Sequence, residues 1–140
     1  MAGWVIDALL AAFFGGLVAI FGKIGVKGID SLTATMVRSL VMAGMMVLVA
    51  LSARRLNFQG IEGKPLLFII LAGAAGAASW IFYFRALQTG PVSRIAPIDR
   101  LSVVVAIVLS MLLLGERPGP MGLLGAALVV AGTLVLVLAP

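Results

Sequence analysis

Neither cysteine nor histidine occurs in the chain. Disulfides, thiol chemistry and metal sites built on thiolate or imidazole ligands are thereby excluded, and the redox compartment stays open. Charge is scarce as well: Asp, Glu, Lys and Arg together make up 11% of the residues, against roughly 25% in soluble domains. The opening MAGWVIDALL lacks a basic leader and carries Asp7, so it does not resemble a cleaved signal peptide and the first apolar segment is expected to remain. No Gly-rich phosphate loop, nucleophile with its base, or carboxylate pair at a diagnostic spacing is present. Enzymatic activity is not expected, nor is a metal or a cofactor.

What the chain has in abundance is apolar side chains, at 63%. With so few charges, that composition defines an all-α integral membrane protein. Apolar runs bounded by charges and by Gly or Pro predict transmembrane helices at roughly 4–22, 32–52, 65–86, 92–114 and 120–138, each near the roughly 20 residues a bilayer requires. Asp30 or Ser31 is the expected N-cap of the second helix, and Pro65 suits the first turn of the third. The remainder is too short for a soluble domain, so residues 1–140 read as one transmembrane domain. The net charge of +5 comes from Lys and Arg that mostly flank apolar runs. Membrane anchoring explains them, and nucleic acid is not an expected partner.

Helices in lipid associate through close approach of small residues rather than through the hydrophobic effect. Four helices carry such rows: Ala11, Gly15 and Ala19; Gly73, Gly76 and Ala77; Ser102, Ala106 and Ser110; Gly122, Gly125, Ala126 and Gly132. The second helix has Met36, Met42, Met45 and Met46 instead, which either fill gaps against neighbours or face lipid, with packing the stronger reading. Five crossings put the termini on opposite sides. Arg54, Arg55, Lys64 and Arg117 then fall on the N-terminal side, and Lys23, Lys27, Arg85 and Arg94 on the other. Loop positives balance, and Arg38 and Arg100 add only a slight excess to the second side. The expected orientation is either a cytoplasmic C-terminus or insertion both ways.

Ionisable residues inside spans are functional-site candidates by default. Asp99 would lie about 10 Å into the fourth helix, where burial raises a carboxyl pKa and a nearby cation lowers it. It reads either as a proton or cation site or as a structural acid near a helix start set by Pro97. Arg38 and Arg100 either snorkel to headgroups or serve inside, with snorkelling the stronger reading for Arg38. Trp80, Tyr83 and Phe84 form either an interfacial belt or the wall of a binding site. Ser102 is grouped with this site, and Pro97 marks a helix start or a kink. Lys23, Lys27, Arg54, Arg55 and Lys64 read as loop anchors.

The stretch YFRALQTGPVSRIAPIDRLSVVVAIVLSMLLLGERP, followed by GLLGAALVVAGTLVLV, resembles the second half of the EamA-type domain of the drug/metabolite transporter superfamily. The matches are Ala86-Leu87 after an aromatic-rich third helix, Gly90-Pro91-x-Ser93-Arg94-x-Ala96-Pro97, Leu114-Gly115-Glu116 closing the fourth helix, and a Gly-rich fifth helix with Ala131-Gly132. Together with FGKIGV near the start, the likeness extends over almost the whole chain. It implies one five-helix repeat, where typical members carry two as an inverted pair around a substrate cavity. The implied function is transport of a small metabolite or drug-like solute by alternating access, coupled to a proton or uncoupled. The implied assembly is a homodimer in the cell (inner or plasma) membrane, antiparallel in view of the balanced loop charges. Asp99 would be the proton or cation site, Arg100 and Arg38 would assist with anionic groups, and Trp80 and Tyr83 would line the wall. A membrane subunit for assembly or lipid handling without transport of its own is the alternative.

Overall fold

The computed structural model describes residues 3–54 and 62–139. Among these there is no strand, and five spans are long and apolar enough to cross a membrane: Gly3–Gly25, Ser31–Ser52, Lys64–Thr89, Val92–Leu114 and Pro120–Leu138. The all-α, five-span architecture expected from the sequence is the one observed. Its elements are α1 (Gly3–Gly25), α2 (Ser31–Ser52), α3 (Lys64–Thr89), α4 (Val92–Asp99), α5 (Ser102–Leu109), a π-helical turn at Ser110–Leu114, and α6 (Pro120–Leu138). α1 and α3 run past Lys23 and Arg85, which lie within helix rather than ending it. A long cationic stem can lie along apolar surface with its head elsewhere, so a single Lys or Arg is a poor stop signal.

Local chemistry explains most boundaries. The Asp30 carboxylate accepts from the N–H groups of Leu32 at 3.0 Å and Thr33 at 3.2 Å, which starts α2 by satisfying donors that the helix itself leaves free. Pro120 opens α6 where its missing N–H costs nothing. Gly115 closes the fourth span with φ at 68°, and its N–H returns to the Ser110 carbonyl. Glycine reaches that left-handed region without steric cost. Beyond α2, Arg54 takes a φ of 50°, and Arg55 lies outside the described residues.

The fourth span is interrupted. Pro97 has no N–H to give to the preceding turn, and regular α geometry stops at Arg100 and Leu101. There the chain tightens: the N–H groups of Arg100, Leu101, Val103 and Val104 reach back three residues, to Pro97, Ile98, Arg100 and Leu101, at 3.0–3.1 Å.

The fold forms two compact units, one of Met1–Ile20 with Thr89–Pro140 and one of Phe21–Gln88. In the first, α4 and α5 pack on α6. In the second, Val26, Phe84 and Leu87 are buried together with Ser31 and Thr35. Large apolar side chains such as Phe13, Leu48, Phe68, Leu112 and Leu128 are exposed along the spans, as helices bathed in lipid require. Met36, Met42, Met45 and Met46 are exposed too. They fill no gap within this chain, whose buried residues on α2 are Ser31 and Thr35 in its first turns.

Candidate solute-binding residues

In the unit Phe21–Gln88, one face of α3 carries Trp80, Tyr83, Phe84 and Leu87, the spacing that brings side chains onto a common helical face. Leu87 is fully buried and Phe84 is 4% exposed. The row fits because α1 offers Gly22, where an added Cβ would stand 2.8 Å from a Phe84 ring carbon and 3.3 Å from a Leu87 methyl. Polar ends are tied to the same place. Lys23 is not a free loop anchor: its Nζ donates to the Leu87 carbonyl. Gln88 Nε2 donates to the Ile29 carbonyl at 2.6 Å. On α2, Thr35 Oγ1 donates to the Ser31 carbonyl at 2.7 Å and Ser39 Oγ to the Thr35 carbonyl at 2.8 Å, which allows hydroxyls inside a spanning helix without an unmet donor.

Arg38 lies about 10 Å along α2 from Ser31. Its guanidinium carbon is 3.5 Å from the Trp80 ring centroid and 6.0 Å from that of Phe84. Trp80 is itself braced, edge-on to Tyr83 at 5.4 Å and tilted against Phe84 at 5.7 Å. A cation–π stack contributes about 0.5–1 kcal/mol when exposed and about 2 kcal/mol when desolvated. An arginine at a bilayer centre costs about 2.5–3.5 kcal/mol on insertion scales and less nearer the surface. The ring therefore offsets much of the cost of holding Arg38 there. Trp80 and Tyr83 thus do more than mark the membrane surface, since one is the platform for a cation and the other braces that platform.

In the other unit, α4 is joined to α6 by two side chains. Arg94 Nη2 donates to the Ala139 carbonyl at 2.9 Å, a cation at a helix C-terminus where the dipole favours it. Thr133 Oγ1, on a residue only 5% exposed, donates to the Pro97 carbonyl at 3.2 Å. α4 already begins at Val92, so Pro97 and Asp99 stand in its last turn rather than its first. Asp99 is partly buried, and its carboxylate has no hydrogen bond or ion pair among the described residues. Arg100 follows at the interruption and is exposed. An added Cβ on Gly15 would lie 3.2 Å from Arg100 Nη2, so the small residue on α1 makes room for the guanidinium. Beside it runs an apolar groove of about 560 Å³, lined by Ala12, Gly16, Pro97, Arg100, Gly132 and Thr133 among others. Ser102 is exposed at the first residue of α5.

The structure thus brings Arg38 and Trp80 together in one unit, and Asp99, Arg100 and Pro97 along one stretch of the other. Of the glycines expected to serve packing, Gly15 faces Arg100 and Gly122 meets Pro118 of the preceding loop, whereas Gly73, Gly76 and Gly125 have nothing within 4 Å of an added Cβ. Three residues that the sequence did not single out do structural work: Gly22, Thr35 and Thr133. Gly22 continues the row of Gly15 and Ala19 along α1, which was the available signal. A lone threonine in a span carried none.

Five apolar spans, four of which carry ionisable residues, define a multi-pass membrane protein. Residues 2–138 match the EamA-like transporter family, and the chain belongs to that family. A relative from Sinorhizobium sp., named "Uncharacterized transporter in cobO 3'region", is 42% identical over 136 residues, covering 95% of each chain. No solved structure matches. Family and relative point to transport of a small solute rather than to catalysis.

Proposed function

We propose that this chain is a secondary transporter of a small organic solute in the cell (inner or plasma) membrane, working by alternating access as an antiparallel homodimer, with Asp99 as its proton or cation site. The observation that carries the reading is the Asp99 carboxylate, partly buried in the fourth span with no partner among the described residues. An ionisable group so placed is costly to hold in a membrane, and such groups mark ion and substrate pathways. It stands next to a backbone interruption, the device by which discontinuous helices form midplane sites. The relative is matched over 95% of its own length, so a one-repeat length recurs there. Open small-residue faces at Gly73, Gly76 and Gly125 offer surface to a second copy.

Flux into proteoliposomes tests the mechanism, with labelled amino acids, nucleosides and aromatic drugs as solutes and an imposed pH gradient as the driving force. Asp99→Asn is expected to cut gradient-driven accumulation by more than about tenfold, or about 1.4 kcal/mol, while downhill exchange persists. Accumulation unchanged in Asp99→Asn sinks the coupling role. Assembly is tested by single cysteines at Lys27 and at Gln59, the latter outside the described residues, in a chain otherwise free of cysteine. An impermeant reagent should label both positions in part in intact cells. Labelling at only one of them rules out the antiparallel pair.

A further inference from the structure

We infer that Arg38, stacked on Trp80, is a receptor for a carboxylate or phosphate group, so that the ligand of this chain carries one such oxyanion. With the guanidinium carbon 3.5 Å from the indole centroid, the two planes lie face to face, since an edge-on guanidinium would drive a nitrogen into the ring. Stacking occupies a face and leaves the N–H edges free. Those edges have no acceptor among the described residues, where Arg38 makes no hydrogen bond or ion pair. Carboxylates of its own unit are out of reach. The unit contains Asp30 and Glu62 and no other acid. Asp30 is spent on the N-cap of α2, about 12 Å along the helix from Arg38, and Glu62 precedes α3 at a distance of roughly 27 Å from Trp80 along its axis.

A planar fork of donors fixed on a braced ring is the geometry that recognises a carboxylate or phosphate through two parallel hydrogen bonds. The Trp80–Tyr83–Phe84 cluster prevents the fork from swinging freely, so it is oriented before the anion arrives. The oxyanion has two sources, the head of a soluble organic acid or phosphate ester, or a phospholipid headgroup reached from the bilayer. This inference depends on the transport reading only for what becomes of the bound anion.

The test uses the full chain in nanodiscs, with Trp4→Phe so that Trp80 is the one remaining tryptophan. Its emission is followed while phenyl phosphate, benzoate, benzamide or benzylamine is added, in discs of phosphate-free galactolipid and in discs of phosphatidylglycerol. A saturable change with phenyl phosphate or benzoate, and none with benzamide or benzylamine, supports a soluble oxyanion. An Arg38-dependent difference between the two lipids, with all four solutes silent, supports the headgroup. In either case Arg38→Gln should abolish the response, and Arg38→Lys, which keeps the charge and loses the fork, should weaken it at least about tenfold. If Arg38→Gln fails to fold, the Lys variant carries the test. Benzamide acting as well as benzoate, an undiminished response in Arg38→Lys, or silence towards every solute and both lipids overturns the inference. Transport is judged apart: binding of benzoate without flux of any solute leaves the receptor standing and removes the transporter. Accumulation of solutes with Trp80 silent does the reverse.

Discussion

The two compact units hold an arginine inside a spanning segment by different means. In Phe21–Gln88 the guanidinium of Arg38 rests on Trp80, and the helices beneath it meet through buried apolar groups, Val26, Phe84 and Leu87. In the unit of Met1–Ile20 and Thr89–Pro140, Arg100 lies over Gly15 beside an apolar groove. There the named ties between α4 and α6 are hydrogen bonds to carbonyls, from Thr133 and Arg94. Carbonyl hydrogen bonds tie the first unit as well, from Lys23 to Leu87 and from Gln88 to Ile29, so what sets it apart is the buried Phe84 and Leu87 fitted against Gly22. The Arg38 stack therefore rests on closely fitted side chains. The second combines an interrupted helix with an Asp99 carboxylate that has no partner among the described residues, the features on which the proposed transport mechanism draws.

Glycine substitutions test that contrast most strongly. At Gly22 an alanine methyl would sit 2.8 Å from a carbon of Phe84, a ring that is 4% exposed beside the fully buried Leu87. At Gly15 the same methyl would meet only the tip of the exposed Arg100 side chain at 3.2 Å, and that tip can move. Both changes gain the same helix propensity, so the difference between them isolates packing. Gly22→Ala is expected to be less stable than Gly15→Ala by about 1–3 kcal/mol, the usual cost of overpacking. Unfolding by SDS in mixed micelles, followed by circular dichroism, measures it. Equal stability of the two variants would mean that the side chains at Gly22 are no more closely fitted than those at Gly15.

Much of this was legible in the sequence, and the exceptions have physical reasons. Span number follows from apolar length, which the bilayer enforces regardless of tertiary context. The N-cap at Asp30 could be narrowed to two adjacent residues because a cap depends on local sequence. The interruption at Arg100 and Leu101 was less visible: Pro97 signals a disturbance, but where the ladder fails depends on what receives the freed groups, and Thr133 is distant in sequence. The stack of Arg38 on Trp80 was hidden for the same reason, since snorkelling is the cheaper assumption until a ring is known to lie alongside. The methionines of α2 misled because an apolar side chain in a membrane helix looks alike whether it faces lipid or protein.

A smaller effect separates the two units through their buried threonines. Thr133 and Thr35 are both 5% exposed, and both donate to a backbone carbonyl. The Thr133 bond crosses from α6 to the Pro97 carbonyl on α4, whereas the Thr35 bond returns to Ser31 within its own helix. Valine preserves the shape of either side chain while deleting the donor. The Ser31 carbonyl keeps its place in the first turn of α2, so Thr35→Val should cost less than about 0.5 kcal/mol. Thr133→Val removes a tie between helices and should cost about 0.6 kcal/mol, the average for side-chain hydrogen bonds inside a membrane protein, and at most about 1.7 kcal/mol. The same SDS unfolding series in mixed micelles reads both. If Thr133→Val proves as mild as Thr35→Val, the Thr133 bond adds nothing to what apolar contact and Arg94 already supply between α4 and α6, and the distinction between the two threonines fails.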